Sequence, residues 1–233
     1  MSLHDSAQSL LWIVVTVACY FIGLGLRRIA RHNALANPVL VAVVLVASLL
    51  LATHTPYAVY FRATWLLTFL LAPATVALGV PLARNFAHVR QSLRGVLLGL
   101  FAGSITSMVS GVLLVRLLGG SKGVALSMLP KAATTPIAIA VASQIGGEPA
   151  LTAALAIVGG IVAAMTLRAV LGGISVTHGH AMGLAAGTAG SGIAGAHAAL
   201  MGDAPAAFAA IGIGMNGLLT ALLAPLVAAL FNF

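Results

Sequence analysis

The sequence predicts an all-α polytopic membrane protein of roughly seven or eight transmembrane segments, with discontinuous or re-entrant helices arranged as inverted repeats. Three observations carry this. The chain is 61% hydrophobic and 6% charged, with a mean hydropathy of +1.13, which no soluble monomer sustains. Its apolar residues gather into stretches at about 8–26, 38–53, 63–82, 95–118, 123–145, 150–171, 181–201 and 206–231. Inside the fifth stretch, Lys131 stands between Pro130 and Pro136. One membrane domain, residues 1–233, uses up the chain, with repeat halves drawn at about 1–118 and 119–233.

The first stretch, Gln8 to Leu26, is too long for a signal peptide and lacks a basic region before it, so it reads as a first transmembrane helix. Arg27, Arg28 and Arg31 follow it, and Arg84, Arg90 and Arg94 follow the third stretch. Positive-inside counting places both loops in the cytoplasm and the N-terminus outside. Asn37-Pro38 and Glu148-Pro149 have the composition of helix starts, a capping side chain followed by a first-turn proline. The third stretch is interrupted by Pro73 and Pro81, with Thr75 beside the break.

In the fifth stretch each proline lacks an N–H, which frees the carbonyls of Leu126 and Ala132 and argues against a continuous helix. Irregular backbone at membrane depth survives only where protein buries it or a wet cavity adjoins it. An ammonium group, the hydroxyls of Thr134 and Thr135 and freed carbonyls therefore suggest a polar site for an anion. The plainer alternative is a helix whose lysine snorkels to the headgroups. Two Thr/Pro-interrupted segments, one in each half, fit the pattern of inverted-repeat transporters. In the seventh stretch, Gly179, Gly183 and Gly187 recur at four-residue spacing, a smooth face for close helix packing. Glycines from 187 to 192 then predict a second unwound element, with Thr188 and Ser191 facing Lys131.

Absences narrow the class. The +8 charge is scattered through loops, which points to membrane orientation and not to nucleic acid. Cys19 is the sole cysteine, and His178 and His180 have no carboxylate near them in sequence, so no metal site and no cofactor are expected. Asp5, Glu148 and Asp203 all lie near segment ends, leaving no acid/base pair. Ala189 and Ile193 stand where a nucleophile elbow around Ser191 needs glycines, and no phosphate-cradling loop exists. Enzymatic activity is not expected.

The chain resembles the LrgB family, which includes CidB-like bacterial proteins and the plastidial glycolate/glycerate translocator. The resemblance rests on Asn37-Pro38, on residues 71–82 (Leu-Ala-Pro-Ala-Thr-Val-Ala-Leu-Gly-Val-Pro-Leu), on residues 128–140 (Met-Leu-Pro-Lys-Ala-Ala-Thr-Thr-Pro-Ile-Ala-Ile-Ala) and on residues 144–147 (Gln-Ile-Gly-Gly). It implies two functions: a carrier of small monocarboxylates such as glycolate, glycerate or pyruvate, or a holin/antiholin-like protein that modulates murein hydrolase export and lysis with an LrgA-like partner. It also implies the bacterial inner membrane. Electrostatics favours the carrier at this stage, because a monoanion needs a counter-charge and donors. Lys131, Thr134, Thr135, Thr75, Thr188 and Ser191 are the expected substrate contacts, Pro73, Pro81, Pro130 and Pro136 the helix breaks, and a homodimer the expected assembly. Relatives usually carry His where this chain has Ser191 and Arg where it has His197, so a titratable group replaces a permanent cation and His197 becomes a candidate for proton linkage.

Overall fold

The computed structural model describes residues 3–29, 38–70, 73, 83–84 and 86–231. Every regular element among them is an α-helix. The chain divides into two compact units, Met1–Ala77 and Leu78–Phe233. The division does not coincide with the repeat boundary drawn at 118/119, which falls inside the second unit.

The first unit holds α1 (Leu3–Ile29), α2 (Pro38–Ala52), α3 (Tyr57–Ala63) and α4 (Trp65–Phe69). Gly23 lets α1 and α2 meet closely, since an added Cβ would stand 2.7 Å from the Pro38 carbonyl oxygen. Trp12 meets the edge of Tyr60 at 5.5 Å, and the Tyr60 hydroxyl lies 3.1 Å from that of Thr16, tying α3 to α1.

The second unit holds α5 (Phe86–Gln91), α6 (Leu93–Leu117), α7 (Lys122–Met128), α8 (Thr135–Ile145), α9 (Pro149–Gly173), α10 (Gly179–Ala199) and α11 (Asp203–Leu230). Helices α6 and α11 run side by side in the same direction. Val96 and Leu100 pack with Ala207 and Phe208 at one end; Met108, Val112 and Val115 pack with Ala224, Val227 and Ala228 towards the other. There Arg116 donates to the Phe231 carbonyl and lies over its ring at 5.2 Å. The expected glycine face of α10 is where α11 docks: an added Cβ on Gly183 would overlap the Pro205 carbonyl oxygen, and one on Gly187 that of Ala209. Side chains such as Leu98, Leu117 and Leu226 remain exposed, as a lipid-facing surface requires.

Four described helices are long and apolar enough to cross a bilayer: Ala7–Ile29 within α1, then α6, α9 and α11. The protein is an integral membrane protein. The other apolar stretches divide or shorten. Helix α2, with 15 residues, reaches about 22 Å against a hydrocarbon core of roughly 30 Å. Stretch 123–145 is split into α7 and α8. Most of the third stretch, with Thr75 and Pro81, lies outside the described residues, as does Asn37.

Candidate functional site

Helix α7 starts at Ser121, whose hydroxyl accepts from the Val124 N–H at 3.4 Å, and ends at Met128. Residues 129–134 then form turns, with Lys131 N–H bonding the Met128 carbonyl at 3.4 Å and Ala133 N–H that of Pro130 at 3.0 Å. Pro130 is fully buried in this interruption. Pro136 was expected to break a helix, and instead it starts one. It lies in the first turn of α8 behind an extended Thr134, where its missing N–H removes no helical bond. Helix α8 closes at Gly146, with φ of 83°, and Gly147 N–H reaches back to the Ala142 carbonyl at 2.8 Å, an arrangement that glycine permits at little cost.

Lys131 is half-buried and points at α6. Its Nζ donates to the Ser107 carbonyl at 3.0 Å and the Ser107 hydroxyl at 2.8 Å. Gly111, one turn along, leaves room for it, since an added Cβ would stand 3.5 Å from Nζ. An ammonium carries three donors, so one remains, and no carboxylate pairs with it among the described residues. The hydroxyls of Thr134 and Thr135 are half-buried and form no hydrogen bond among the described residues. The interruption thus presents one ammonium proton and two hydroxyls without partners among the described residues.

The backbone around Lys131 is tied down from three sides. The Ala132 carbonyl, which Pro136 deprives of its helical donor, accepts from Asn216 Nδ2 of α11 at 3.0 Å. A carbonyl only accepts, so the amide nitrogen must face it and Oδ1 turns to the Ser104 hydroxyl of α6 at 2.6 Å. Below, Ser127 donates to the Gly123 carbonyl at 2.7 Å and accepts from Glu148 N–H at 2.7 Å; Thr152 Oγ1 lies 3.1 Å from the Ser127 carbonyl. Glu148 therefore sits just before Pro149, the first residue of α9, with its backbone bonded, and its carboxylate makes no capping bond of the kind the sequence suggested.

The second expected break falls at Ser191. There φ is 48° and ψ is −136°, in the midst of α10, and the buried hydroxyl has no hydrogen-bond partner among the described residues. Thr188, three residues earlier, donates to the Leu184 carbonyl at 2.8 Å, which commits its proton to its own helix and removes it as a donor to a solute. His197 is half-buried in the last turn of α10. The Lys131 and Ser191 breaks meet across two adjacent glycines of α9. An added Cβ on Gly159 would come 4.0 Å from the Lys131 carbonyl oxygen, and one on Gly160 would come 3.1 Å from that of Gly190. Pro73 is exposed in the other unit; Thr75 and Pro81 lie outside the described residues.

Ser107, Ser104 and Asn216 are absent from the residues that the sequence singled out. Asn216 had a signal, as the one carboxamide in the apolar α11, where a polar side chain calls for a partner. The two serines had none, because serine is common in membrane helices and bonds back to its own turn at no cost to the pattern.

The chain is similar to known proteins over nearly its whole length. The profile described as the LrgB-like family matches residues 16–230. Proteins named "Antiholin-like protein LrgB" from Bacillus mycoides (strain KBAB4) and Bacillus cereus (strain B4264) are each 32% identical over 214 residues, covering 92% of this chain and 93% of theirs. The protein of that name from Bacillus anthracis (strain CDC 684 / NRRL 3495) matches to the same extent. No solved structure gives a significant match.

Proposed function

The chain belongs to the LrgB-like family, and from that premise we propose that it is an antiholin-like protein of the bacterial inner membrane. In this reading it pairs with a small LrgA-like membrane protein and modulates murein hydrolase export and lysis. The observation that carries it is the match to antiholin-like relatives across 92% of the chain, a range that includes both interrupted segments. Electrostatics alone favours the carrier, and the relatives' names reverse that order. The test is co-reconstitution. Liposomes holding an LrgA-like partner leak an encapsulated dye, and adding this protein changes the leak; an unchanged leak at every ratio refutes the antiholin role.

A second reading has its own support in the geometry. A secondary transporter of small monocarboxylates is favoured by the free Lys131 proton and the unpartnered Thr134 and Thr135 hydroxyls, a donor set that suits a carboxylate. In this reading residues 123–147 form a re-entrant segment, Lys131 pairs with the anion, and α6 with α7–α8 forms an inverted repeat of α9 with α10. Homodimers are the expected assembly. Purified protein alone then gives saturable counterflow of labelled glycolate or pyruvate, and Lys131→Met lowers it by about tenfold or more, the loss of one charge-assisted contact. Undiminished uptake in that variant refutes the site.

A further inference from the structure

Helix α10 does not run straight. Its first half descends beside α6, since an added Cβ on Gly99 would come 3.3 Å from Leu184 and one on Gly103 3.0 Å from Thr188. Gly187 and Gly195 are eight residues apart, which is about 12 Å along a straight helix. Both nevertheless meet the same place on α11. An added Cβ on Gly187 would stand 2.9 Å from the Ile213 nitrogen, and one on Gly195 2.7 Å from the Ile213 side chain and 3.7 Å from Ala209. Gly179, at the start of α10, lies against Pro205, and the chain reaches Asp203 directly after α10 ends. Both ends of α10 are therefore at the same end of α11, and the reversal is at Ser191, the residue with non-helical backbone. Ala186 from the first arm and Ala194 and Ala198 from the second share one cluster with Ala164 and Leu167 of α9, as two adjacent arms would.

The segment bearing Lys131 comes from the opposite end. It leaves α6 at Gly119–Ser121 and returns at Gly147, whose added Cβ would lie 3.0 Å from the Ser127 nitrogen. The two segments also differ in how they are held. The first is fastened by Ser107, Asn216, Ser127 and Thr152. From Met182 to Ala196, the one side-chain hydrogen bond among the described residues is Thr188 to its own helix. The Ser191 hydroxyl, 8% exposed and unpartnered, sits at the tip.

We propose that Gly179–Ala199 is a hairpin, not a membrane crossing. It enters from the end at which α6 begins, with Arg94, and returns to it, and its tip, Ser191, closes that side of a chamber whose other side is the fastened segment of Lys131. The occupant is a small anion that accepts a hydrogen bond from Ser191. This last part rests on the carrier reading; the hairpin does not. The fastened segment closes the chamber from the opposite face, so Ser191 is reached from the α10 face.

Impermeant maleimide labelling of single cysteines in a Cys19→Ala background tests the path of the chain. Thr177→Cys and Leu200→Cys are expected to label from one face, and Lys122→Cys and Glu148→Cys from the other. Labelling of the 177 and 200 variants from opposite faces overturns the hairpin. Ser191→Cys is expected to react with an anionic methanethiosulfonate about tenfold faster from the α10 face, and saturating acetate is expected to slow that reaction about tenfold by occupying the chamber. Equal rates from both faces overturn the closure, and a lack of protection by either acetate or phosphate overturns the anion assignment. Sided labelling in a protein whose liposomes take up no carboxylate supports the hairpin while removing the carrier reading, so the two fail separately.

Discussion

Asn216→Ala tests whether the Lys131 segment depends on its ties. Asn216 is 1% exposed and makes two hydrogen bonds, accepting from Ser104 at 2.6 Å and donating to the Ala132 carbonyl at 3.0 Å. Truncation removes both and orphans a carbonyl that Pro136 has already cut off from the helix ladder. In a soluble core each orphaned group costs about 1–3 kcal/mol. Interhelical side-chain bonds in membranes average nearer to 0.6 and reach about 1.7 kcal/mol, because the unfolded state in the bilayer also finds partners. Two bonds on that scale give a loss of about 1–3 kcal/mol. Ser104→Ala removes only one of them and should cost about half as much. In the double variant the Ser104 hydroxyl has nothing left to lose, so the two effects should fall short of additivity by about 0.5–1 kcal/mol. Unfolding by sodium dodecyl sulfate in mixed micelles, followed by circular dichroism, measures all three. A loss below about 0.3 kcal/mol for Asn216→Ala, or full additivity, would refute the idea that this side chain holds the break together.

Two further predictions follow from backbone geometry. Gly183→Ala places a methyl against the Pro205 carbonyl and should cost about 1–3 kcal/mol by forcing α10 and α11 apart, whereas Gly192→Ala meets nothing within 4 Å and should leave stability unchanged or slightly raised; equal thermal stability of the two in detergent contradicts the close approach. Ser191→Gly relieves a positive φ and deletes an unpartnered buried hydroxyl, so it should stabilise by about 1 kcal/mol, and a lowered melting temperature would show that the serine has a partner after all.

Composition alone made this an integral membrane protein, because a chain so poor in charge has no other solvent. Local chemistry also marked both interruptions: Pro130 and Pro136 bracket the turns, although Pro136 opens the helix that follows, and the glycine-rich run 187–192 holds the second break, although the positive φ falls on Ser191 and not on a glycine. The glycine face of α10 was legible as well, since spacing by four survives in any helix. Tertiary structure alone decided what answers each break. That Asn216 takes the Ala132 carbonyl and Ser107 the Lys131 amine depends on residues 84 and 24 positions away, and no local pattern records such a meeting. The number of crossings was equally hidden, because an apolar stretch of given length reads the same whether it spans the bilayer or turns back inside it. Hydropathy reports how much surface is apolar, and packing against α6, α9 and α11 sets the direction in which the chain leaves each break.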